Sequence, residues 1–264
     1  MKIPGSALVF HGKGSKQATE LDFIAQITDS HSRPAAVVRD TIPLKLSRDI
    51  AGQVIQKSIQ YSTGVTLAPG AYKLRFVARE NGQGKIGTFE TPFNIPDLAS
   101  SRGLRVSSLV LSSQRQPLSA QVAGVKNSRK LLAENPLLQG GQQLVPNVTG
   151  VFRPGQEILA YVEVYDPALP ASLPENLQRP DIDASLAVYK GGKKLFETPP
   201  ARVTRLEPQR KSVLPVWLNI PAGKIPPGEY DCQVNLIDEF GRKFAFPRSP
   251  FAVVGSTYVS KLIP

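Results

Sequence analysis

The sequence predicts an all-β fold of two tandem immunoglobulin- or fibronectin-III-like β-sandwich domains, and three observations lead there. The 264 residues include 24 Pro and 21 Gly, with Val, Ile, Leu, Tyr and Phe in short runs between them, a composition suited to many strands joined by turns. Period-2 alternation recurs: Tyr72, Leu74, Phe76 and Ala78 fall on one face of a strand and Lys73, Arg75 and Arg79 on the other. One stretch is also written twice, LAPGAYKLRFVARENGQGKIGTFETPFNI from Leu67 to Ile95 and IPPGEYDCQVNLIDEFGRKFAFPRSPFAV from Ile225 to Val253, an offset of 158 positions (225 less 67).

Strands are expected at Leu21 to Thr28 and Ala35 to Leu46, with the turn DSHSRP, Asp29 to Pro34, between them. SRDIAGQVIQ, Ser47 to Gln56, is the helical pattern, with Ser47 as N-cap and Asp49 in the first turn. Ile59, Tyr61, Thr63, Val65 and Leu67 alternate as a strand, which the turn Ala68-Pro69-Gly70 would join to the strand starting at Tyr72. PDLASSRG, Pro96 to Gly103, mixes Pro, Ser and Gly and sets the domain boundary, giving domains of residues 1–98 and 99–264.

The second domain is expected to open with a strand at Leu104 to Leu111. A polar insertion at 112–135 follows, with a short helix at Ser128 to Glu134. Further strands are expected at Gln143 to Val145, Glu157 to Tyr165, Ala184 to Tyr189, Leu195 to Glu197, Val203 to Leu206 and Val213 to Ile220, with a hairpin turn at Gly191-Gly192. The insertion at 166–180, DPALPASLPENLQRP, is too rich in proline for helix or central strand.

Aligned on Pro-Gly-x-Tyr, the two copies pair Pro69, Gly70 and Tyr72 with Pro227, Gly228 and Tyr230, and the face carrying the tyrosine stays apolar in both. The motif is similar to the tyrosine corner of immunoglobulin and fibronectin-III sandwiches, in which the hydroxyl bonds back to the backbone. Cys232 is the sole cysteine and excludes an internal disulfide; on the apolar face of its strand it reads as a small core hydrophobe.

The residues point away from catalysis, cofactors and metal. His11 and His31 sit in polar turns without a nucleophile elbow, and GKGSK from Gly12 lacks phosphate-loop spacing. Asp181 and Asp183 flank Ile182 without a calcium-loop pattern, and Asn147-Val148-Thr149 is an isolated glycosylation sequon. The net charge of +11 supplies a candidate patch for an anionic partner at Lys190, Lys193, Lys194, Arg202 and Arg205, extended by Arg210 and Lys211, but no aromatic signature of nucleic-acid binding interleaves it. Trp217 reads as core, whereas Tyr161 and Tyr165 are candidate exposed aromatics for a sugar. No apolar run is long enough to span a membrane, and MKIPGSALVF is broken by Pro4 and Gly5 where a signal peptide needs an unbroken apolar segment.

Four segments carry a family resemblance: Gln60 to Leu98, Leu104 to Gln114, Asn135 to Ala168 and Pro226 to Val253. They resemble the C-terminal half of the VWFA-related domain proteins abundant in acidobacteria. In that family a signal peptide and a von Willebrand factor A domain come first and these β modules follow. The resemblance implies export to the periplasm or cell exterior and a protein partner, either an A domain or an envelope protein. No D-x-S-x-S motif occurs in this chain, so the family's metal-dependent adhesion site is not carried over, and a fragment, a split gene or a mispredicted start is expected. The expected function is a non-catalytic interaction or spacer module, with a carbohydrate- or cell-wall-binding module as the alternative.

Overall fold

The computed structural model describes residues 1–255 apart from 13, 57, 118–134, 140, 209, 222 and 224. Strands dominate and form several antiparallel sheets, so the fold is all-β. The described residues fall into two compact units, one running from Met1 to Asp97 and the other beginning at Leu98; those of 117–141 group with the first.

The first unit comprises β1 (Lys2–Pro4), β2 (Lys16–Asp29), β3 (Pro34–Ser47), the helix α1 (Arg48–Ile55), β4 (Ser58–Gln60), β5 (Gly70–Glu80) and β6 (Ile86–Ile95). A four-stranded sheet has the order β3-β2-β5-β6, and β1 pairs with β4. In β2, Leu21, Phe23, Ala25 and Ile27 are buried, while Glu20, Asp22, Ile24 and Gln26 alternate with them on the other face. Phe23 stacks on Tyr61 at 4.1 Å between ring centroids, and Phe76 lies 6.0 Å from Phe23. At α1 the Ser47 hydroxyl accepts from the Ile50 N–H at 3.4 Å, and Ala51 is the residue buried beneath it.

The expected strand at 59–67 is reduced to β4, which pairs with β1 and not with β5. The long apolar face of β2 captures β5 instead, in register from Leu21 with Glu80 to Asp29 with Tyr72. Gly64 and Pro69 weaken a strand between them, and Tyr61 leaves the sheet pattern to fill the core against Phe23.

The strands that follow are β7 (Arg105–Val106), β8 (Val110–Pro117), β9 (Leu138–Gln139), β10 (Gln142–Pro146), β11 (Val151–Phe152), β12 (Glu157–Tyr165), β13 (Ile182–Lys190) and β14 (Lys193–Glu197). After them come β15 (Ala201–Val203), β16 (Val213–Pro221), β17 (Gly228–Asp238), β18 (Lys243–Ala245) and β19 (Arg248–Val253). The second unit has one sheet containing the run β16-β12-β8-β10, with β7 on β12, and another of order β11-β19-β17-β13-β14, with β15 on β13 and β18 on β17. Ile158, Val162 and Leu214 from the first and Leu186, Cys232 and Leu236 from the second belong to one buried core.

The strand expected at Leu104 to Leu111 is split between β7 and β8, and β8 runs on to Pro117, into the expected insertion at 112–135. The rest of that insertion, with the helix expected at Ser128 to Glu134, lies in 118–134, outside the described residues. The insertion at 166–180 carries no strand and one 3-10 turn, Glu175–Leu177.

The two copies of the repeated stretch fold alike. In the first, Gly70 pairs with Ile95, Tyr72 with Phe93, Arg75 with Glu90 and Ala78 with Gly87. In the second, the positions 158 later pair in the same way: Gly228 with Val253, Tyr230 with Phe251, Gln233 with Arg248 and Leu236 with Ala245. The return strand is continuous as β6 in the first copy and broken at Phe246-Pro247 into β18 and β19 in the second.

Candidate functional site

The hairpin's start is set by the corner. Tyr72 donates its hydroxyl to the carbonyl of Ala68 at 2.9 Å, and Tyr230 donates to that of Pro226 at 2.7 Å. Each ring stacks on the phenylalanine opposite, Phe93 at 5.6 Å and Phe251 at 5.4 Å. Gly70 and Gly228 adopt φ of +154° and +153°, a conformation reserved for glycine, so the turn after Pro69 and Pro227 requires them.

The hairpin's far end is closed by an acid that the alternation pattern does not single out. Glu80, buried at the end of β5, accepts from the Thr19 hydroxyl at 2.7 Å and from the N–H groups of Gly82 and Gln83, both at 2.8 Å. Burial pushes its carboxyl up, but the bonds from Gln83, Thr19 and Gly82 outweigh it and hold the carboxyl below its ordinary value. Asp238, 158 positions on, is buried at the end of β17 and accepts from the N–H groups of Gly241 at 2.8 Å and Ala168 at 3.0 Å. Both carboxylates serve the turn that follows them.

A polar platform spans four strands of the second unit. In β17, Tyr230, Cys232, Val234 and Leu236 face the core, so Glu229, Asp231, Gln233 and Asn235 are carried to the outer face. There Arg248 Nε donates to Gln233 Oε1 at 2.5 Å and Gln233 Nε2 to Asn235 Oδ1 at 2.5 Å. Asn235 Nδ2 then donates to Glu197 Oε1 at 2.9 Å and to Ser185 Oγ at 3.0 Å. Ser185 Oγ donates to the same Glu197 oxygen at 3.0 Å, and Lys194 Nζ to the other at 2.6 Å. The Lys194 ammonium foremost, with Ser185 next, holds the Glu197 carboxyl below its ordinary value. The Arg248 guanidinium lies 5.1 Å over the Tyr189 ring. Beside Tyr189, an open groove of about 720 Å³ lies against Lys190, Glu229, Asp231, Thr149 and Pro250. Buried Gln233 and Ser185 thereby hold half-buried Asn235 and exposed Arg248, Glu197 and Lys194 in one row, which suits hydrogen-bonded recognition.

Comparison with models of known protein families and with curated proteins finds no match.

The basic residues expected to form one patch occupy two places. Lys190, Lys193 and Lys194 stand beside the Gly191-Gly192 turn. Arg202 faces Asp183 in the β15–β13 register, about 23 Å along the strand from Lys190 at the usual rise per residue. Arg202 is forked onto Asp181, Lys194 is tied to Glu197, and Arg205 lies exposed beyond β15. Arg210 reaches instead to buried Glu163, at 2.6 Å, and Lys211 is exposed in the turn before β16.

Glu163 gathers a second network. Tyr161 donates to its Oε1 at 2.6 Å and Tyr165 to its Oε2 at 3.0 Å. Burial first, then the carboxylate, raises both phenols, that of Tyr165 to about 12. Tyr161, expected to be exposed, is buried, and Trp217, expected in the core, is half-buried on the outer face of its sheet. Its ring lies 4.4 Å from that of Tyr161 and 4.7 Å below Arg115, beside a recess of about 450 Å³ that Glu157, Ser113 and Asn219 also line.

Cys232 is fully buried, and burial pushes its thiol up to about 12. Asn147 and Thr149 bond each other at 2.7 Å in the turn before β11. His11 bridges Ala18 through the backbone, and His31 lies in the β2–β3 turn.

Proposed function

We propose that the chain is a non-catalytic interaction module whose second unit recognises a partner protein through the outer face of β14, β13, β17 and β19. The observation that carries this reading is the hydrogen-bonded row from Arg248 to Lys194, whose side chains are ordered by one another before any partner arrives. The core shared by two sheets and the tyrosine corner at Tyr230 support reading that unit as an immunoglobulin-like sandwich. For the first unit the same reading takes the four-stranded sheet and the β1–β4 pair as its layers. The resemblance to VWFA-related proteins extends the proposal to an exported module whose partner is an A domain or an envelope protein. Calorimetric titration of the chain with an A domain from such a protein tests it. Affinity of about 10 μM or tighter, weakened about tenfold or more by Gln233→Ala with Arg248→Ala, is expected; no heat at a tenfold higher concentration contradicts that partner.

A carbohydrate-binding reading is favoured by one observation, the Arg115–Trp217–Tyr161 stack beside a recess carrying Glu157 and Asn219. Binding of cell-wall glycans that is lost in Trp217→Ala supports it, and binding indifferent to that substitution removes this site from consideration.

A further inference from the structure

The two copies of the hairpin treat its outer edge differently. In the second unit that edge is covered. Leu104 donates its N–H to the carbonyl of Phe244 at 3.3 Å, and β11 runs parallel along β19, with bonds from Ala252 N–H to Gly150 and from Val254 N–H to Phe152 at 2.8 and 3.0 Å. Phe152, fully buried, meets Phe251 edge-on at 5.9 Å.

In the first unit the positions equivalent to Phe244, Phe251 and Ala252 are Ile86, Phe93 and Asn94, all on β6. Among the described residues β6 is the last strand of its sheet. The core-facing side is correspondingly open: Phe89, stacked on Phe76 at 5.4 Å, is 42% exposed. The edge-facing carbonyl of Phe244 and N–H of Ala252 imply that Ile86, Thr88, Glu90 and Asn94 turn their backbone groups outward. Pro92 interrupts that row, which leaves Ile86 to Glu90 as its longest unbroken part.

The opposite face of the same strands is basic. Lys73 and Arg75 stand beside the one carboxylate of β6, Glu90, which bonds both at 3.1 and 3.0 Å. An added strand would therefore meet Phe89 and Phe93 on one side and, on the other, Ile86, Thr88 and Glu90 of β6 with Lys73, Arg75 and Arg79 of β5 behind them, three cations to one carboxylate.

We propose that β6 is a strand-addition site that takes an extended segment of a partner protein whose residues alternate between apolar and acidic. Its apolar residues cover Phe89 and Phe93 as Phe152 covers Phe251, its acidic residues lie toward Lys73 and Arg75, and its backbone pairs with Ile86 to Glu90. This site belongs to the first unit and does not depend on the platform of the second.

The test uses the full chain and a capped octapeptide alternating Glu with Val and Phe, against two controls: the same composition with the apolar residues grouped, and a peptide with Lys for Glu. Hydrogen exchange followed by NMR is expected to slow about tenfold or more at Thr88 and Glu90 with the alternating peptide and not with the controls. Thr88→Pro, which removes an outward N–H, and Phe89→Lys, which removes the apolar contact, are each expected to abolish the protection while exchange in β2 is unchanged. Equal protection by the grouped or lysine peptide, no protection, or protection that appears on concentrating the chain alone and so reports pairing with a second copy, overturns the proposal.

Discussion

Glu80 and Asp238 are the same residue of a structural repeat: each ends the long strand of its hairpin, each is buried, and each accepts from the turn that follows, Glu80 from two backbone N–H groups and Asp238 from that of Gly241. The turns also leave space for them. A side chain at Gly82 would come within 2.6 Å of Glu80 Oε1 and one at Gly241 within 2.6 Å of Asp238 Oδ2, so each carboxylate sits against a glycine. Replacing either acid by alanine leaves buried donors without an acceptor, and a loss of about 2 kcal/mol is expected in urea unfolding for Asp238→Ala. A loss under about 0.5 kcal/mol would mean that water replaces the carboxylate.

Glu80 also gives a pH dependence with a defined sign. Its folded pKa lies below the ordinary 4.5, so the folded state binds the proton less readily than the unfolded chain. The resulting stabilisation is complete above pH 4.5 and is lost as pH falls through the folded value. Glu80→Gln should therefore flatten the fall in thermal midpoint below pH 4.5, and an unchanged acid limb would show that other carboxylates account for it.

The corners differ in burial, and the cost of removing their hydroxyls should differ with it. Tyr230 is buried and Tyr72 half-buried, so Tyr230→Phe is expected to cost about 1–2 kcal/mol and Tyr72→Phe about 0.5 kcal/mol. The same denaturation series measures both, and equal losses would show that burial does not set the strength of the bond.

Arg210 clamps the segment between β15 and β16 onto β12. Its pairing with Glu163 is buried on the carboxylate side, so Arg210→Ala leaves an uncompensated charge and should cost about 3 kcal/mol, whereas replacing Arg210 and Glu163 together by Met and Leu should cost less. Urea midpoints of the single and double variants decide this. A double variant weaker than the single would mean that the Tyr161 and Tyr165 bonds to Glu163 matter more than its charge.

Cys232 should be inert. With its thiol pushed up to about 12 and fully enclosed, labelling by a thiol reagent at pH 8 is expected only at the rate of unfolding. Rapid labelling of the native chain would contradict its burial.

The corner was legible in the sequence because it is local: Pro-Gly-x-Tyr sets a turn, a strand start and a side-chain bond within five residues. Strand alternation likewise located β12, β13 and β17 closely. Trp217 was misread because VLPVWLNIP is almost continuously apolar, and a run without alternation does not say which face is inside. The strand expected at 59–67 failed because competition for the edge of β2 is a tertiary matter. The buried acids left a signal that apolar alignment ignores, an acid at one offset in both copies with a glycine two or three positions on. The platform left none, since Ser185, Glu197, Gln233, Asn235 and Arg248 are ordinary outward residues until the register of four strands brings them into one row.

The central claim is that one hairpin is built twice in one register. NMR cross-strand contacts test it most directly. Contacts between Arg75 and Glu90 and, at the 158-residue offset, between Gln233 and Arg248 are expected, with Tyr72 to Phe93 matched by Tyr230 to Phe251. A register displaced by one residue in either copy would place its tyrosine opposite a different partner and contradict the claim.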